Sequence, residues 1–188
     1  MKNIADLGSE IYNAVTEGNL LLEDNSREDN LSIFYTYIEN YTSKDIDKTV
    51  YGGDIYRIII EPPAQWPVSL RAARGLSENV CNTTFEVNVY VFKRGISDDD
   101  FVKLTATEGV YDMGYNFLNY YDQANLSVID DCLDLLQWFT ACIHLHFDSK
   151  NGSMQINTVD GLLDVQPIGI TTKNEYGIMK KLSMTWYE

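Results

Sequence analysis

The chain has 188 residues, 45% of them hydrophobic and 22% charged, with four prolines, which is enough for one well-buried domain and too few for two large ones. That balance excludes a mostly disordered chain. Fourteen Lys and Arg against 28 Asp and Glu leave a formal charge of −14, which argues against a broad surface for nucleic-acid phosphates, because such surfaces cluster basic side chains.

Ile4, Leu7, Ile11 and Val15 recur at helical spacing and predict an amphipathic N-terminal helix, with Gly18 placed to end it. The stretch after it, holding Glu23, Asp24, Arg27 and Asp29, reads as an exposed loop. From Leu31 to Ile38 the pattern turns β-rich, with apolar groups on both faces, and the polar residues from Asn40 to Lys48 interrupt it. Tyr56 to Glu61, centred on Ile58, Ile59 and Ile60, predicts a buried strand that Pro62 and Pro63 end, because neither nitrogen can donate to a ladder. Ala64 to Asn82 has no clear period but contains Trp66, Pro67, Arg71 and Arg74, a local positive patch near an aromatic. It is either a contact point for an acidic neighbour or an ordinary solvated loop.

Thr83 to Lys93 alternates, with Phe85, Val87, Val89 and Val91 on one face. Ser97 followed by Asp98, Asp99 and Asp100 is an N-cap with acids in the first turn, predicting a helix through about Tyr121. Ser127 is placed to cap a second helical stretch in which Ile129, Cys132, Leu133, Leu136 and Phe139 share a face, before Cys142 to Phe147 turns strand-like. Asn151-Gly152 then predicts a hairpin pairing Ile143 to Phe147 with Met154 to Val159. Val165 to Thr172 and the run from Ile178 to Trp186 are the closing strands, joined by a turn over Lys173 to Gly177. The expected fold is α+β: one domain over residues 1–188, mainly an antiparallel sheet, with an N-terminal helix and a helical insert at about 97–140 packed on one face.

The three cysteines, Cys81, Cys132 and Cys142, form no CxxC pair and cannot all pair within the chain, which points to a reducing compartment. Met1 to Leu7 lacks a signal's apolar stretch, and no segment approaches the roughly 18 apolar residues of a membrane span, so a soluble protein folded in a cytosol is expected.

His144, His146 and Asp148 carry the sharpest chemical pattern, because residues two apart on a strand point the same way and would present two imidazoles and a carboxylate to one ion. They include both histidines of the chain, and no second motif supplies further ligands, so two strand histidines bonded to backbone or water are the plainer reading. No serine lies in a GxSxG elbow, and Gly52-Gly53 precedes a strand, not the helix N-terminus a phosphate cradle needs. Thirteen tyrosines, among them Tyr111, Tyr115, Tyr120 and Tyr121, suit core packing, protein interfaces and sugar-binding surfaces alike.

An amphipathic helix, a strand ending in Pro62-Pro63, the alternating strand from Thr84 to Val91, an acid-capped helix and paired strands closing on Leu182-Ser183-Met184-Thr185-Trp186-Tyr187 follow one another in an order. That order resembles the tail-terminator and tail-completion proteins of bacteriophages, which join head to tail. The resemblance implies a homo-oligomeric ring in a virion, assembled in the host cytoplasm, with no catalysis, no cofactor and no membrane. Adjacent ring, portal or tail proteins would be its partners, and DNA would pass through an acidic lumen without specific binding. A heterologous ring needs two complementary faces, expected in the loop with Trp66, Arg71 and Arg74 and the loop with Glu23, Asp24 and Asp29. A metal-dependent hydrolase centred on His144 and His146, and a tyrosine-rich ligand-binding or adhesion module, are the other classes the residues allow.

Overall fold

A computed structural model describes residues 4–22, 30–43, 54–65, 83–95, 123–150, 154–157 and 165–187. In chain order these form α1 (Ile4–Asn19), β1 (Leu31–Tyr35), α2 (Ile38–Ser43), β2 (Tyr56–Ile60), β3 (Thr83–Arg94), α3 (Gln123–Lys150), β4 (Met154–Ile156), β5 (Gln166–Ile170), a single 3₁₀ turn (Thr171–Lys173) and β6 (Glu175–Trp186). The strands make one sheet in the order β1-β2-β3-β6-β4, with β5 also paired to β6. Every pair is antiparallel except β1 with β2. Parallel neighbours need a crossover connection, and the segment between β1 and β2 supplies it, carrying α2 across the sheet. The fold is α+β.

The alternation in β3 does what its period requires: Phe85, Val87, Val89 and Val91 point to one face. Register carries that face across the sheet, Val91 opposite both Ile58 and Ile178, and Phe85 opposite Met184. Leu7, Ile11, Ala14 and Val15 of α1 and Cys132, Leu136, Phe139 and Ile143 of α3 pack on it. Each buried Ile or Leu there contributes about 1.5–3 kcal/mol. The two helices also pack on each other. A Cβ at Gly18 would stand 1.9 Å from the Cys142 carbonyl oxygen, so glycine is what lets the two backbones meet. Gly18 therefore lies inside the last turn of α1 and is not the helix stop that its position suggested.

One turn away, the Trp138 indole Nε1 donates to Asn19 Oδ1 at 3.0 Å, both side chains being buried. Trp138→Phe removes that donor and leaves a buried acceptor bare. A loss of about 2 kcal/mol in unfolding free energy is expected from urea titration.

Four expectations are corrected. The residues from Cys142 to Phe147 are helical, within α3; the stripe of Phe139, Cys142, Ile143 and His146 keeps the three-and-four spacing, and the alternation of Ile143, Leu145 and Phe147 is incidental to it. The hairpin across Asn151-Gly152 consequently does not form. Met154, Gln155 and Ile156 pair with Trp186, Thr185 and Met184 of β6 instead. α3 also begins at Gln123, so Ser127 lies within the helix and is not its cap. Finally, β1 stops at Tyr35, and Ile38 to Ser43 form α2 where the sequence suggested a continuing strand and a polar break. Tyr41 explains that helix: it is fully buried against Phe34 and Phe92 on the second face of the sheet. The helix expected from Ser97 to Tyr121, with its four tyrosines, and the Gly52-Gly53 pair lie outside the described residues.

Candidate functional site

His144 and His146 lie on α3, where residues two apart are separated by about 200° around the axis and cannot chelate one ion as a strand pair would. His146 faces α1, its Nδ1 3.2 Å from Glu17 Oε2 and its ring 12% exposed, while Asp148 is exposed. Among the described residues no group of three His, Cys, Asp or Glu side chains is placed to hold a metal ion. Burial pushes the Cys132 thiol up to about 12, with the Asp131 carboxylate adding to it. At neutral pH it is a packed thiol and a poor nucleophile. The proposed interface residues Trp66, Arg71, Arg74, Glu23, Asp24 and Asp29 lie outside the described residues.

The structure draws attention to the face of the sheet that α1 and α3 do not cover. At one end of it α2 lies over a small apolar cluster of Tyr41, Ile59, Tyr90, Phe92 and Ile170. Beneath that cluster Arg57 is fully buried on β2. Its Nε and Nη2 donate to the two oxygens of Asp54 at 2.7 and 3.1 Å, and its Nη1 donates to Glu175 Oε1 at 2.9 Å and to the Tyr41 hydroxyl at 2.8 Å. The Tyr41 hydroxyl in turn donates to Glu175 Oε2 at 2.6 Å. Arg94 closes the set, pairing with Asp54 and approaching Glu175 to 3.5 Å. Burial alone would raise the Asp54 carboxyl; hydrogen bonds from Arg57 and Ser32 and the attraction of Arg57 and Arg94 outweigh it and hold it below the ordinary carboxylate range. Two cations and two anions balance one another here, tying β2, β3, β6 and α2 together.

Among the described residues nothing covers the other end of this face. There the outward positions of β3 and β6 are polar: Thr84 opposite Thr185, Glu86 opposite Ser183, and Asn88 opposite Lys181. Side-chain hydrogen bonds run between Thr84 and Thr185 at 3.0 Å, from Thr185 to Asn157 at 2.6 Å and from Asn157 to Ser183 at 3.0 Å. Glu61, just past β2, receives Asn88 Nδ2 at 2.8 Å, the Tyr90 hydroxyl at 3.1 Å and the Ile38 amide at 2.9 Å, the last capping the start of α2. Burial first, then the Glu61 carboxylate, pushes the Tyr90 phenol up to about 12, so it stays protonated and donates. Between this floor and the segment that carries Pro62 and Gln65 lies a groove of about 720 Å³, which Tyr37, Glu39, Glu61, Glu86, Asn88 and Lys181 help to line.

None of these groove residues stands out in the sequence by spacing, because they come from β3, β6, the start of α2 and the segment just past β2. One signal was available. Arg57 sits directly before three isoleucines, and a cation inside a buried strand requires counter-charges nearby.

No protein-family model, no curated protein and no solved structure matches the chain. Among the described residues no helix is long and apolar enough to cross a membrane.

Proposed function

We propose that the chain is a structural virion protein that associates with copies of itself into a ring at the head-to-tail junction or tail of a bacteriophage, joining neighbouring rings and letting DNA pass. The observation that carries this reading is that the subunit has two unlike faces. Its sheet is sealed by α1 and α3 on one side, while one end of the other side is polar and, among the described residues, uncovered. A closed ring of identical subunits requires two different surfaces that meet head to tail. The outer side of the helical layer offers apolar contact area as well: Tyr12, Leu20 and Leu21 of α1 and its end are exposed, Leu20 at 68%. A formal charge of −14 suits a passage through which DNA moves without adhering. The order of elements adds to this: α1, the strand β2 ahead of Pro62-Pro63, the long alternating β3 and the closing strand β6 follow in the order on which the resemblance rests, and α3 has no counterpart in it.

Electron microscopy and native mass spectrometry of the purified chain test the reading, alone and mixed with tail-less or head-less particles. Rings of uniform subunit number, free or seated on a particle, are expected. A chain that stays solitary at high concentration and docks on neither particle overturns it.

A further inference from the structure

We infer that the open groove on the sheet is a docking site for an arginine-bearing segment of a different protein. This contact goes beyond self-association and stands whether or not copies of the chain form a ring. The groove is concave, about 720 Å³, and among the described residues that line it Glu39, Glu61 and Glu86 are carboxylates and Lys181 is the cation. That cation is loosely held: Lys181 Nζ lies 3.4 Å from Glu86 Oε2, with both side chains more than 60% exposed. Such an exposed pair is worth little and is readily exchanged for a better-matched donor.

A guanidinium is the better match, because its planar fork pairs with a carboxylate through two parallel bonds and lies favourably on an aromatic face. Tyr37, 44% exposed, stands among the carboxylates that line the groove. Glu61 has room for one more donor: a carboxylate accepts about four hydrogen bonds, and Ile38, Asn88 and Tyr90 supply three. Those three bonds also fix its orientation, so little side-chain entropy is lost on binding. The donor comes from another protein on grounds of charge. A copy of this chain brings a formal charge of −14 to a groove that is itself acidic, whereas a basic segment is drawn to it.

Fluorescence anisotropy with the full chain and a short labelled peptide alternating Arg and Ser tests the inference. The combined change Glu39→Gln and Glu86→Gln is expected to weaken binding about fivefold or more, whereas Asp130→Asn with Asp134→Asn, which removes the same charge from exposed positions of α3, shifts it less than twofold. The exposed substitutions leave the buried network untouched, and circular dichroism of each variant checks that it folds. Equal weakening by both pairs would assign the binding to the diffuse field of an acidic protein and overturn the site. Absence of binding by the unaltered chain at low salt, equally tight binding of the matching Lys-Ser peptide, or loss of self-association in place of peptide binding would each overturn it too, the last by assigning the groove to a second copy.

Discussion

Arg57→Met is expected to lower the unfolding free energy by about 3–5 kcal/mol, the range for removing one partner of a buried ion pair, read as a drop in the urea midpoint at neutral pH. The cause is what remains. Methionine fills much of the volume, but Glu175, fully buried, loses the guanidinium bonded to it at 2.9 Å, and of its two cationic neighbours the more distant Arg94 is left. Asp54 keeps Arg94 and loses two donors. Adding Glu175→Gln to Arg57→Met should recover part of the loss, because the uncompensated charge goes with the carboxylate. A double variant less stable than the sum of the two single changes would contradict that account.

The same network sets an acid limit. The Asp54 carboxyl titrates lower in the folded chain than in the unfolded one, where it is near its ordinary value of about 3.9. Its contribution is therefore complete above that ordinary value and is lost as pH falls through the lower folded value. Arg57→Met weakens the depression, so its stability should decline less steeply than that of the unaltered chain as pH falls below about 4.

Gly18→Val is the second large effect, expected at about 3 kcal/mol, the upper end of over-packing. The group in the way is the Cys142 carbonyl, 1.9 Å from the position a Cβ would take, and main chain inside a helix cannot swing aside as a flexible side chain can. Relief requires α1 and α3 to move apart. That movement also stretches the Trp138 to Asn19 hydrogen bond, so the indole fluorescence of the folded state should shift. A variant with unchanged midpoint would mean that the helices re-seat at no cost.

The strands were legible in the sequence wherever a period of two ran long enough. β3 keeps its expected inward set, although Tyr90 and Phe92 on its other face are buried under α2, and β6 follows its alternation but takes in Glu175 to Gly177, which were expected in a turn. The helical layer was half legible. α1 follows its stripe, but α3 carries two further turns in which histidine, leucine and phenylalanine mimic alternation, while Cys142 and Ile143 of the same turns pack in the core and Cys142 meets Gly18. α2 was hidden because six residues with a single buried side chain, Tyr41, leave no periodic trace. The groove was not legible at all. Its carboxylates reach one place through the register of β3 with β6 and the cap that Glu61 gives α2, relations between residues far apart in the chain.

β6 lies inside the sheet, and the partners it joins are distant: Thr84 and Thr185, 101 positions apart, touch across it. Until that strand arrives, the isoleucines of β2 and the valines of β3 form a half-built platform with an open hydrogen-bonding edge, and closing so long a loop is slow. A polypeptide emerging from the ribosome must keep this sticky intermediate apart from its siblings. Low temperature during expression should therefore favour the native product over inclusion bodies.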